Sequence, residues 1–133
     1  MSDATGRLER LLEDELGECR ASDVEQRMTE LDALAADAPL AHAAADVETL
    51  ATLGDDTRYR LTRILVAAGE ELCVCELAPT LDVSDSAISH ALTDLTEAGL
   101  VDRRKEGKWR YYRATERAER LLAVLDDNRG GST

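Results

Sequence analysis

Residues 74–113 read VCELAPTLDVSDSAISHALTDLTEAGLVDRRKEGKWRYYR, and this stretch decides the fold. Val74 to Leu81 reads as a short helix, Asp82-Val83 as a tight turn, and Ser84 as the N-cap of the next helix. From Ser84 to Ala98, Ile88, Leu92 and Leu95 recur at the spacing of one helical face, which turns Ser86, Ser89, His90 and Thr93 outward. Gly99 ends that helix. Leu100-Val101 then opens a strand, Glu106-Gly107 makes a turn, and Trp109 to Tyr112 returns as the partner strand. A helix, a turn, a helix and a basic hairpin, in that order, describe a winged helix-turn-helix. In such a fold the second helix can lie in the major groove with its N-terminal residues at base edges, while the hairpin sets cations beside the DNA backbone. The expectation is a mainly α fold with a small β-hairpin wing. Ser84, Ser86, Ala87, Ser89, His90 and Thr93 are its candidates for contact with double-stranded operator DNA. A small α/β domain with the same element order is the competing reading; the polar outer helix face beside a basic hairpin argues against it.

The charge distribution points the same way. The chain has 133 residues with 28 acidic and 16 basic side chains, for a net charge of −12. Residues 1–56 carry 15 acidic and four basic side chains, whereas residues 57–133 carry 13 and 12. Within Asp102 to Arg113, six cations (Arg103, Arg104, Lys105, Lys108, Arg110 and Arg113) face two acids. A basic cluster on an acidic chain is an electrostatic footprint for phosphate. Arg103, Arg104, Lys105, Lys108 and Arg110 are therefore the backbone candidates, against the plainer reading of a solvated hairpin whose arginines pair with nearby carboxylates. The basic residues are 14 Arg and only two Lys, and an acidic, lysine-poor composition suits a halophile's cytoplasm. At about 1 M salt the Debye length falls to about 3 Å, so the overall charge repels DNA only weakly.

Outside the decisive stretch, helices are expected over Thr5–Arg20, Ser22–Ala38, Ala41–Leu53, Thr57–Ala68 and Thr115–Asp127. Ser22 and Glu25 have capping-box spacing, Pro39 stops the second helix, and Gly69 closes the fourth. The division implied is an acidic helical N-terminal extension (1–40), a winged helix-turn-helix DNA-binding and dimerisation domain (41–128), and a disordered Gly-Gly-Ser tail (129–133). No apolar run approaches the roughly 20 residues needed to span a bilayer, so no membrane partner is expected.

Three cysteines, Cys19, Cys73 and Cys75, suit reduced thiols in the cytoplasm better than a disulfide framework. In an extended or fraying segment, residues i and i+2 point to one side, so the Cys73 and Cys75 sulfurs can reach one ion. Soft thiolates suit As(III), Cd(II) or Zn(II), and a trigonal or tetrahedral site needs one or two further ligands. The plainer alternative is a pair of small half-buried residues. Cys19 lies on the apolar stripe of the first helix, where a single cysteine commonly serves as a small hydrophobe.

Four segments resemble one family in register. Leu53 to Leu61 (LGDDTRYRL) is similar to the LADPTRLRIL opening of the ArsR/SmtB family of metal-responsive winged-helix repressors, and Glu71 to Leu77 (ELCVCEL) to its ELCVCDL metal box. Ser84–His90 and Glu97–Val101 resemble its recognition helix and exit, and Arg104–Arg113 its wing. The resemblance covers Leu50 to Ala114 and implies a homodimeric repressor released from DNA by a thiophilic ion, with no constitutive cofactor. As(III) or Sb(III) is the favoured inducer, with Cd(II), Zn(II) or Pb(II) as alternatives. It implies dimerisation through the N-terminal and C-terminal helices, where Leu121, Leu122 and Leu125 need a partner.

Three departures from the family pattern stand out. His90-Ala91 replaces a His/Arg-His pair, Pro79 falls inside the metal-box helix, and Ala78 occupies the place of the arsenic branch's third cysteine. The cadmium- and lead-responsive branch completes its site from an N-terminal extension across the dimer, which would give Cys19 a ligand role. The family's other sensor site needs His on the C-terminal helix, and Thr115–Asp127 has none. A thiol-redox regulator, a ligand-independent one and a thiol oxidoreductase are the rivals. The last requires C-x-x-C in a βαβ setting, which is not the pattern here.

Overall fold

The computed structural model describes residues 3–129, so residues 130–133 of the expected tail lie outside the described residues. The chain forms two compact units, Met1–Ala43 and Ala44–Thr133. In the first, α1 (Asp3–Leu16) and α2 (Ala21–Asp37) are joined through Gly17, whose φ of 85° is a left-handed exit from a helix. The expected Ser22–Glu25 capping box does not form. The helix starts one residue earlier, and the Arg20 N–H donates to the Asp23 carboxylate at 3.0 Å, so the acid at the third helical position does the capping. Leu12 is buried, while Leu11, Leu16 and Leu34 are more than half exposed.

The second unit is built on α3 (Ala43–Leu53), α4 (Asp56–Ala68), β1 (Leu72–Cys73), α5 (Val74–Leu77), α6 (Asp85–Glu97), β2 (Val101–Glu106), β3 (Trp109–Ala114) and α7 (Glu116–Asp127). Each of α4, α6 and α7 opens on a side chain that accepts a backbone N–H: Asp55 from Arg58, Ser84 from Ala87, and Thr115 from Ala118. The stripe read from the sequence is the core: Ile88, Leu92 and Leu95 of α6 pack with Leu61 and Leu65 of α4, Leu77, Leu100, Val101 and Tyr112. Ala91 belongs to this core too, so the departure at His90-Ala91 places an alanine inward rather than removing a group from the outer surface. Removing three carbons from the fully buried Leu95 leaves a cavity at the centre of this cluster. Leu95→Ala is expected to lower the unfolding free energy by about 2–5 kcal/mol in a denaturant titration.

Four expectations are corrected. The helix expected over Val74–Leu81 is one turn, Val74–Leu77, followed by a 3-10 turn at Ala78–Thr80. Pro79 has no N–H to continue the α-helical ladder. The wing is a three-stranded sheet in the order β1-β3-β2, because the two residues of β1 pair antiparallel with β3. The hairpin turns at Gly107-Lys108 rather than Glu106-Gly107. Glu106 still pairs with Trp109, and Gly107 takes a φ of 62° that suits the first place of a two-residue loop. On α7, Leu122 lies in the protomer's own interior, so of the expected stripe only Leu125, with half-buried Leu121, looks outward.

Two arginines of α4 fix its neighbours. Arg58 donates from Nε to the Thr52 carbonyl at 2.7 Å and from Nη1 to Asp94 of α6 at 3.3 Å. Arg63 grips Asp126 of α7 with two hydrogen bonds of 2.9 and 3.0 Å, which holds that carboxyl below its usual range.

Candidate functional site

Cys73 ends β1 and caps α5. Its N–H donates to the Glu76 carboxylate at 2.8 Å, and its Sγ accepts the Cys75 N–H at 3.2 Å. This is a capping box with cysteine in the place of serine. The i,i+3 spacing from Cys73 to Glu76 is the local signal for it in the sequence. Cys73 is buried and Cys75 exposed; hydrogen bonding to Cys73, burial and the Glu76 charge push the Cys75 thiol up from its ordinary value.

The two cysteines open onto a cleft of about 560 Å³ lined also by Val74, Ser89, Lys105, Gly107, Lys108, Trp109 and Arg110. Both sequence-derived groups, thiols and DNA-side candidates, thus border one space. Among the described residues, no cluster of three or more His, Cys, Asp or Glu side chains is arranged to hold a metal ion. The thiol pair fits a soft ion as a partial donor set, two sulfurs that need a third ligand. Cys19 is not on the stripe of the first helix as expected: α1 ends at Leu16, and Cys19 lies half-buried in the link to α2, its thiol raised by burial and by Asp23, Glu9 and Glu13.

On α6, Ser86, Ala87, Ser89, His90 and Thr93 are all exposed, and so is Ser84 at its start. Ser89 looks to the wing cleft, while Ala87, His90 and Asp94 border a second hollow against Asp55, Thr57 and Arg58 of the α3–α4 junction. The Ser84 hydroxyl is engaged as the cap, and the Thr93 hydroxyl donates back to the Ser89 carbonyl at 3.0 Å. Ser86 and Ser89 keep their hydroxyls out of both arrangements.

The two-residue alternation of the hairpin divides its cations. Arg103 is paired with Tyr112 and Lys105 with Arg110, on the face that continues from buried Val101 and Tyr112. Among the described residues, Arg103, Lys105 and Arg110 take part in no ion pair or side-chain hydrogen bond. Lys108 sits 5.5 Å from the centre of the Trp109 ring. Arg104 is on the opposite face and is fully engaged. Nε and Nη2 grip Glu71 at 2.8 and 2.9 Å, Nη1 reaches Glu106 at 2.6 Å, and the guanidinium lies 4.8 Å over the Tyr111 ring. Glu71 is correspondingly held below the usual carboxylate range by Arg104.

Residues 55–103 match the family described as bacterial regulatory protein, arsR family. The chain is 56% identical over 126 residues to the putative arsenical resistance operon repressor of Halobacterium salinarum, covering 95% of this chain and 98% of that one. It belongs to the arsR family of bacterial regulatory proteins. Members of the arsR family are transcriptional regulators rather than enzymes, which removes the thiol oxidoreductase. The reading of a halophile's protein from the composition agrees with the source of this relative.

A further arsR relative, the arsenical resistance operon repressor of Escherichia coli, is 43% identical over 81 residues, 61% of this chain and 68% of that one. Among solved structures, a possible transcriptional regulator for arsenical resistance is 41% identical with a TM-score of 0.51, covering 60% of this chain and 81% of that one. A homodimeric winged helix-turn-helix DNA-binding domain from Mycobacterium bovis, a possible ArsR-family regulator, is 26% identical with a TM-score of 0.60. It covers 68% of this chain and 83% of its own. The winged helix-turn-helix expected from residues 74–113 is the fold of this arsR protein. No helix among the described residues is long and apolar enough to cross a membrane.

Proposed function

We propose that this arsR-family repressor is a homodimer released from its operator when As(III) or Sb(III) binds Cys73 and Cys75. The observation that carries the reading is the shared cleft: the two thiols of the C-x-C pair border the same space as wing cations and Ser89 of α6. A 56% identical relative bears the name of an arsenical resistance operon repressor, which favours the metalloid over Cd(II) or Zn(II). Arsenous acid can condense with two thiols, As(OH)₃ + 2 RSH giving (RS)₂AsOH and two waters. Binding that draws Cys73 and Cys75 together strains the strand–helix junction between β1 and α5, and so favours a placement of α6 and wing that DNA does not. Linkage makes the effect mutual: operator DNA weakens inducer binding by the same factor. The direct test is titration of the operator complex with As(III), Sb(III), Cd(II) and Zn(II), reading DNA release. Release by As(III) or Sb(III) at the lowest concentration supports the reading, and release by Cd(II) or Zn(II) alone refutes it.

The dimer is assigned to α3 and α7. Val47 and Leu50 of α3 and Val124 and Leu125 of α7 are each about half exposed or more, and Leu50 and Leu121 border one groove beside Arg117. A pair of faces of this kind is what a symmetric interface covers. Leu50→Glu with Leu125→Glu should yield a folded monomer by light scattering with operator binding lost; a dimer that survives both changes moves the interface elsewhere.

Cys19 is assigned the third sulfur, from the partner's extension. The support is coordination number: two thiolates leave a three-coordinate ion unfilled, and Ala78 offers none. Saturating As(III) should then protect all three cysteines from alkylation in the dimer. If Cys19 reacts at the same rate with and without As(III), it is a small half-buried residue of the link between α1 and α2.

A further inference from the structure

The hairpin register sets three residues in a row across the sheet. Cys73 of β1 is paired with Tyr111 of β3, and Tyr111 is paired with Arg104 of β2. Residues paired across adjacent strands are neighbours, so the backbone that carries the thiol runs beside Tyr111, and Tyr111 beside Arg104. The Arg104 fork closes this row back on itself. It holds Glu71, two residues before Cys73 on the same extended segment, with contacts from two nitrogens at 2.8 and 2.9 Å. The fork also lies on the face opposite Arg103 and Lys105.

We propose that Arg104 is a positioning residue, not a phosphate contact: it clamps the wing to the strand that carries Cys73, and through it occupancy of the thiol site displaces the wing. Three observations distinguish it from its cationic neighbours. Its donors are committed to Glu71 and Glu106, its guanidinium lies over the Tyr111 ring, and the wing's unengaged cations all lie elsewhere. A partly exposed ion pair adds little to stability, even where, as here, Arg104 is 48% and Glu71 33% exposed. Its consequence is geometric. A bidentate fork on a carboxylate fixes direction as well as distance, which a lysine cannot reproduce. Without the clamp, β3 keeps its pairing with both β1 and β2, but β2 loses its side-chain tie to Glu71, which holds the outer strand of the hairpin to the segment leading into Cys73. The cations on the other face are then no longer presented together.

The first half of the proposal stands on the wing alone; the second rests on the inducer reading above. The two are separated by measuring operator affinity without inducer and then with it. Without inducer, the sign of one substitution decides. If Arg104 contacts phosphate, Glu71→Gln removes a nearby negative charge and tightens DNA binding. If Arg104 is a clamp, Glu71→Gln weakens it. We expect Glu71→Gln and Arg104→Gln each to lower operator affinity about threefold to tenfold, with the double variant no worse than either, as for coupled neighbours. Arg104→Lys should fail to restore it, and the exchange of Glu71→Arg with Arg104→Glu should restore part of it. The slope of log affinity against log salt should stay at the wild-type value in Arg104→Gln, whereas loss of a phosphate contact lowers it by about 0.9. A tighter Glu71→Gln complex, or a reduced slope with rescue by Arg104→Lys, overturns the clamp. Thermal melts of each variant confirm that affinities are compared between folded proteins.

With As(III) added, Arg104→Gln should bind it to the free protein as tightly as wild type does, followed by thiolate–arsenic absorbance. The ratio of operator affinities without and with As(III) should fall at least threefold towards one. An unchanged ratio overturns the coupling while leaving the clamp. No As(III) binding by wild type refutes the inducer reading and leaves the affinity comparison intact.

Discussion

Cys73→Ser and Cys75→Ser are each expected to leave a folded repressor that holds its operator as wild type does and does not release it when As(III) is added. Serine is a good helix cap, so at position 73 its oxygen can take over the Cys75 N–H that the sulfur now accepts, and the junction between β1 and α5 should survive. Cys75 is exposed, and its replacement disturbs no core contact. What serine cannot supply is a soft thiolate. Operator affinity without metalloid should therefore stay within about twofold of wild type, since exposed Cys75 is at a surface position, where substitutions shift stability by only about 0.5 kcal/mol, and serine at 73 keeps the cap. The ratio of affinities without and with As(III), expected to be about 5-fold to 150-fold in wild type for a typical allosteric coupling, should fall to one. Fluorescence anisotropy on a labelled operator measures both quantities in one titration. Normal release by either variant would make the C-x-C pair structural, an N-cap that happens to be sulfur.

Removing the unengaged wing cations should have the larger effect on DNA itself. The variant with Arg103, Lys105 and Arg110 all changed to Ala is expected to lose about 2.7 from the salt slope, at about 0.9 for each phosphate neutralised, and most of its affinity for random and operator DNA alike. Arg103, Lys105 and Arg110 form no competing ion pair among the described residues, so each is available to phosphate. Ser86→Ala and Ser89→Ala should act differently. Their hydroxyls stand on the outer face of α6 outside the cap, and their loss should narrow the gap between operator and random DNA with little change in slope. Filter binding across a salt series on both DNAs separates the two effects. Equal losses of both kinds at every position would remove the division of labour between wing and helix.

Much of the fold was legible because the helical stripe and the caps are local signals. Ile88, Leu92 and Leu95 repeat at helical spacing and are all fully buried, and Ser84 and Thr115 cap the helices they precede. What the sequence hid is non-local. The strand Leu72–Cys73 is too short to show an alternation, and only its pairing with Tyr111 and Tyr112 makes it a strand. Pro79 announced trouble for the metal-box helix, but not that a 3-10 turn would absorb it. Arg104 was counted with its neighbours because a charge window ignores faces. The alternation Asp102, Arg104, Glu106 against Arg103, Lys105 carried the distinction all along, and needed only the hairpin register to be read. The Ser22–Glu25 cap failed for a simpler reason: Asp23 offered a carboxylate at the same spacing one helix start earlier.

The central claim is that the sulfurs of Cys73 and Cys75 take a metalloid and that DNA release follows from it. X-ray absorption at the arsenic edge tests both, recorded on the operator-bound protein as As(III) is added while release is followed on the same samples. The account predicts sulfur coordination that saturates at one arsenic per protomer, with operator release saturating at the same point. Arsenic surrounded by oxygen alone at full release, or sulfur coordination complete while the operator stays bound, would contradict it.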